Sequence, residues 1–83
     1  MTDEYHISSF VVHCQPGQEH SVRRAIGAMS GAEIHGCSDD GKLVVTLEQP
    51  DRATMQVGME ALATLSGVLS AALTYHRVEA IER

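Results

Sequence analysis

Tryptophan is absent from this 83-residue chain, and one Phe and two Tyr are its only aromatics. Single-stranded nucleic acid is held largely on stacked aromatic side chains, so that class has no platform here. Basic residues are also scarce. Six Lys and Arg stand against eleven Asp and Glu, for a net charge of −5. A phosphate-backbone binder needs Lys and Arg to displace counterions, so nucleic acid is excluded as a partner on this count too. No apolar run approaches the ~20 residues of a membrane helix, which argues against membrane insertion. Cysteine is limited to Cys14 and Cys37. The opening, Met1 to Tyr5, is polar and acidic, unlike a secretory or transit peptide. The expected compartment is the cytoplasm, where a disulfide between the two cysteines would be unusual.

What is present is the make-up of one folded domain. At 43% apolar and 20% charged, the chain is far from the composition of disorder. Its length allows a single domain, residues 1–83, with one modest core. The ordered part is expected at about 5–79, with short polar tails at both ends.

The punctuation occurs twice. Gln15-Pro16 is answered by Gln49-Pro50, and Ser30-Gly31 by Ser66-Gly67. Pro suits a helix entrance and Gly the left-handed residue that ends one, so each interval predicts a helix. In the first, Val22, Ala25, Ile26 and Met29 fall on one helical face. In the second, Met55, Met59 and Leu62 mark the face, with Leu65 beside it. Asp51 is the expected N-cap there. Gly58 shares the stripe, where a small residue lets the helix approach a sheet, at about 1 kcal/mol of helix propensity relative to Ala.

Strands flank both helices. Ile7 to His13 and Val68 to His76 are rich in β-formers. Ala32 to Cys37 is a weaker strand. The polar turn Ser38-Asp39-Asp40-Gly41 joins it to Lys42 to Leu47 as a hairpin. The order β-α-β-β-α-β predicts an α+β, ferredoxin-like fold. Two right-handed βαβ units interleave into a four-stranded antiparallel sheet of order 4-1-3-2, with both helices on one face. Helices of about 13 residues would match strands of about six.

That arrangement leaves one sheet face open. By alternation, Leu69, Ala71, Leu73 and Tyr75 face the helices in the last strand, and Ser70, Ala72, Thr74 and His76 face out. In the third strand Leu43, Val45 and Leu47 face in, and Val44 and Thr46 out. In the first, Phe10 and Val12 read as core, and Ser9 and Val11 as open. The open face is therefore small, flat and mildly apolar, a surface suited to docking an apolar segment.

Catalytic and metal signatures are missing. The five histidines, His6, His13, His20, His35 and His76, form no i, i+4 pair and no ligand spacing with Cys14 or Cys37. Where heavy-metal domains of this topology carry C-x-x-C after the first strand, this chain reads Cys14-Gln15-Pro16-Gly17. The same loop lacks the phosphate-cradling Arg of an acylphosphatase. There is no G-x-S-x-G elbow, P-loop or G-x-G-x-x-G. RNA-recognition aromatics are missing from Val44-Val45-Thr46. Arg23-Arg24 lies within a helix and reads as a solvated face. The expectation is a non-enzyme without cofactor or metal.

Several segments together carry a resemblance to a known family. They are Ser9-Phe10-Val11-Val12 with Pro16, Gly31-Ala32-Glu33, Gly41-Lys42-Leu43-Val44-Val45, and the run from Gly67-Val68-Leu69-Ser70 through Ala71-Ala72-Leu73-Thr74-Tyr75-His76. Over about Tyr5 to Glu79 the chain resembles the NapD family, small cytoplasmic chaperones of the periplasmic nitrate reductase catalytic subunit. The resemblance implies a partner, the twin-arginine signal peptide of that subunit's precursor. It also implies a role, delaying export until the molybdenum cofactor is inserted. Such a peptide has a basic region with paired arginines and then an apolar stretch, which an acidic protein with an open apolar sheet face complements. It would lie on the sheet as an amphipathic helix or add to a strand edge. On this expectation Ser9, Val11, Val44, Thr46, Ser70, Ala72, Thr74 and His76 bind the peptide. The competing class is a small ACT-like regulatory domain that binds a ligand and is usually fused to an enzyme or DNA-binding part. Unpaired outer strands leave the choice between monomer and weak dimer open.

Overall fold

In a computed structural model the backbone is described over residues 2–82 and side chains over residues 4–80. The elements are β1 (Thr2–Cys14), α1 (Glu19–Gly27), β2 (Ala32–Cys37), β3 (Lys42–Gln49), α2 (Arg52–Thr64) and β4 (Val68–Glu82). The strands form one antiparallel sheet in the order β2-β3-β1-β4. Read from the other edge this is 4-1-3-2, the order that two interleaved βαβ units require.

The internal repeat reappears in the hydrogen bonding. Glu48 N–H, near the end of β3, donates to the Gly31 carbonyl at 2.8 Å. Gln15 N–H, just past β1, donates to the Gly67 carbonyl, also at 2.8 Å. Each half thus ties down the first strand of the other through the glycine after its helix. Gly31 sits at φ +80° and Gly67 at +93°, a region that costs any residue with a side chain.

The helices form as their patterns dictate. In α2, Asp51 caps the N-terminus, its carboxylate accepting from Thr54 N–H at 2.8 Å. Met55 and Leu62 are buried, and Gly58 lies against Leu47, whose Cδ1 an added Cβ would meet at 3.4 Å. In α1, Val22 and Ile26 are the buried pair. With Phe10, Val12, Leu43 and Val45 these make up the centre of the core. Each such side chain contributes about 1.5–3 kcal/mol by leaving water.

Two lengths differ from the sequence pattern. Helix α1 has nine residues instead of about 13, because Pro16-Gly17 makes a separate turn, with Gly17 at φ +79°. Strands β1 and β4 have 13 and 15 residues. Their outer ends pair with each other, from His6↔Val78 out to Thr2↔Glu82. Residues 77–80 alternate polar and apolar, which suits that pairing. The two-stranded extension accounts for a long axis of 47 Å against 19 and 17 Å for the others.

Candidate functional site

Cross-strand partners share a sheet face, so the register assigns the faces directly. On the face away from the helices, Val11 lies between Val44 and Ala72. One step along, Ser9 lies between Thr46 and Tyr75, and Glu33 lies beyond Thr46 on β2. A step further, Ile7 lies between Glu48 and Arg77. At the opposite end, His13 lies between Lys42 and Ser70. The sheet therefore brings Ser9, Val11, Val44, Thr46, Ser70 and Ala72 together on the open side. Val44, at its centre, is 45% exposed.

His76 is a correction, and Tyr75 is its counterpart. Ser9 pairs with Tyr75 but Phe10 pairs with Leu73, so Thr74 is an extra residue in β4. One inserted residue reverses the alternation beyond it. Tyr75 therefore stands on the open face, 51% exposed, and His76 on the helix side. There Ser8 Oγ and His76 Nδ1 are hydrogen-bonded at 2.7 Å, and the His6 ring lies 5.7 Å away, centroid to centroid. Thr74 itself, at the bulge, donates its hydroxyl to the Ser9 carbonyl at 3.1 Å.

The edge position of β4 overturns a second expectation. Leu73 is 49% exposed instead of core, and Leu69, the extra residue of a second bulge between Val68 and Ser70, is 56% exposed. Leu73 does point to the helix side, opposite Phe10, but the helices cover the middle of the sheet and leave this edge uncovered. The result is a groove of about 590 Å³ between α2 and β4. Phe10, Met55, Met59, Ala63, Ala71 and Leu73 line it, with Arg52, Glu60, His6 and His76 among its polar members. Periodicity did not reveal this groove, because the strand reads as an ordinary alternating one on either side of Thr74.

The open face also carries polar groups that the sequence reading missed. His35, the extra residue of a bulge in β2, bonds Thr46 Oγ1 through Nε2 at 2.7 Å and lies 3.9 Å from the Glu33 carboxylate. Among the described residues Glu48 has no Lys, Arg or His within 4.0 Å. Arg77 is paired with Glu79, and Lys42 with Asp40 at 3.5 Å. The Asp40 carboxyl is held below its ordinary range, chiefly by the Ser38 hydroxyl. Cys14 is buried and Cys37 exposed, both as free thiols. Burial, and then the Glu19 carboxylate, push the Cys14 thiol up, so it is a poor nucleophile. Among the described residues no group of three His, Cys, Asp or Glu side chains is placed to hold a metal ion. No helix among them is long and apolar enough to cross a membrane.

Topology and surfaces together define a small ferredoxin-like α+β domain with an uncovered, mildly apolar sheet face. A family model described as NapD protein matches residues 5–80, and the chain belongs to the NapD family. It is a family of chaperones and not of enzymes. Among solved structures, the chain is similar to one titled the solution structure of the E. coli Tat proofreading chaperone protein NapD. The two are 26% identical, with a TM-score of 0.81, over 88% of this chain and 78% of that one. No curated protein matches the chain.

Proposed function

We propose that this protein is a cytoplasmic chaperone that binds the twin-arginine signal peptide of a periplasmic nitrate reductase catalytic-subunit precursor. By occupying the peptide it delays export until the molybdenum cofactor is in place. Family membership and the likeness to a protein titled a Tat proofreading chaperone support the reading. The observation that carries it is the open sheet face, where Val11, Val44 and Ala72 make an apolar centre flanked by Ser9, Thr46 and Ser70. A peptide helix laid across this face buries its apolar side there, and its arginines are drawn to a protein of net charge −5.

The α2–β4 groove favours a second reading, in which the apolar stretch enters the groove against Met55 and Met59. Methionine-lined surfaces adapt to varied apolar partners.

Titration calorimetry with a synthetic signal peptide tests the proposal. Saturable binding at micromolar concentrations is expected, weakened when both peptide arginines become Ala. Absence of binding, or equal binding of the two peptides, contradicts it. Val44→Glu should abolish binding if the open face is used, and Met59→Glu should do so if the groove is.

A further inference from the structure

The open face is not electrically uniform. Glu33 on β2 and Glu48 on β3 stand at one corner, Glu33 opposite Thr46 and Glu48 two residues further along β3. That makes them diagonal neighbours, with Cα atoms about 7–8 Å apart. Both side chains belong to exposed residues. Glu33 has only the His35 ring near it, at 3.9 Å, and Glu48 has no basic group within 4.0 Å among the described residues. The far end of the face holds His13 and Lys42, and Lys42 is matched by Asp40. Between the two ends lies the apolar row Val44–Val11–Ala72.

Accepting the peptide-binding reading above, we infer that the bound peptide has a fixed direction. Its paired arginines lie at the Glu33–Glu48 corner, and its apolar stretch runs from there over Val44 and Val11 towards Ala72. The argument is charge complementarity: Glu33 and Glu48 lack a Lys or Arg partner within 4.0 Å among the described residues, while Arg77, on the same face beyond Ile7, is paired with Glu79. Each guanidinium fork can pair with a carboxylate through charge-assisted hydrogen bonds. An apolar stretch that follows the arginines then reaches Val44, about 7 Å beyond the Glu33 row and about 13 Å beyond Glu48. The reverse direction places the arginines beside Lys42 and His13, and the apolar stretch over the carboxylates, which costs desolvation without a partner. Glu33 and Glu48 thus become the residues that select for arginine, while the central row supplies general apolar affinity.

A double-mutant cycle tests the direction. The E33Q/E48Q protein and the wild type are each titrated with the arginine peptide and with one in which both arginines are Gln. The expected result is a loss of about five- to tenfold for the arginine peptide at low salt, and little change for the Gln peptide. A nitroxide on the peptide N-terminus should broaden the amide signals of Glu33, Thr46 and Glu48, and one beyond the apolar stretch those of Ser70 and Ala72. Equal losses for both peptides, or broadening from the N-terminal label at His13 and Ser70, overturn the direction while leaving peptide binding intact. If the wild-type protein binds neither peptide, the function and the direction fall together.

Discussion

Ser8 Oγ and His76 Nδ1 meet at 2.7 Å on the helix side of the sheet, although 68 residues separate them in the chain. Ser8 is fully buried and pairs with His76 across β1 and β4. The bond joins the two strands just beyond the Thr74 bulge, where Tyr75 faces the open side and His76 the helix side.

These neighbours should therefore separate cleanly on substitution. Tyr75→Ala removes a half-exposed ring from the open face and should weaken peptide affinity severalfold with little change in stability. His76→Ala breaks the bond to Ser8 and should cost about 1 kcal/mol of stability, with affinity unchanged. Calorimetry for binding and urea unfolding for stability read the two effects independently. An affinity loss confined to His76→Ala would place the histidine on the binding side.

Gly17 and Gly31 share a backbone conformation, at φ +79° and +80°, but differ in surroundings. A Cβ at Gly17 would meet nothing within 4 Å, whereas one at Gly31 would collide with the Glu48 carbonyl. Gly17→Ala should cost only the left-handed conformation, about 1–2 kcal/mol. Gly31→Ala should cost that and roughly a further 1–3 kcal/mol, because it also disturbs the Glu48–Gly31 link between the halves. Urea midpoints of the two variants give the comparison. Equal costs would show that the close approach at Gly31 carries no energetic weight.

Asp51 supplies a pH dependence of known sign. Its carboxyl is held below the usual value of 3.8, first by the Thr54 backbone N–H and then by the Thr54 hydroxyl. A folded-state value below the unfolded one contributes stability that is fully present above the unfolded value. That stability is lost as pH falls through the folded value. Asn is also a good cap but does not titrate there. The stability advantage of wild type over Asp51→Asn should hold steady at neutral pH and shrink in acid below the ordinary carboxylate range. Urea unfolding of both proteins across that range checks it, and an advantage that grows on acidification would contradict the capping role.

The sequence and the structure part company at identifiable residues. The repeated Gln-Pro and Ser-Gly signals, the Asp51 cap and the Val22–Ile26 and Met55–Leu62 spacings were legible because they are local, and they sufficed for the topology. The inward set Leu43, Val45 and Leu47 was legible because β3 is central and has no inserted residue. The bulges at His35 and Thr74 were not legible, since no residue in them breaks the alternating pattern by type. They arise from pairing with distant partners. The pairing of the chain ends through 77–82 was missed for the same kind of reason. Alternation there is short, and only the Thr2–His6 partner gives it a register. The exposure of Leu73 follows from β4 lying at an edge, which strand order implied but simple alternation did not use, and that of Leu69 from a further inserted residue in the same strand.

The most direct test of the central claim is a map of amide chemical shifts in the labelled protein as signal peptide is added. The largest changes should cluster at Ser9, Val11, Val44, Thr46, Ala72 and Tyr75, with α2 little affected. Changes concentrated instead at Met55, Met59 and Leu73 around the α2–β4 groove, or no saturable change anywhere, would contradict binding on the open face.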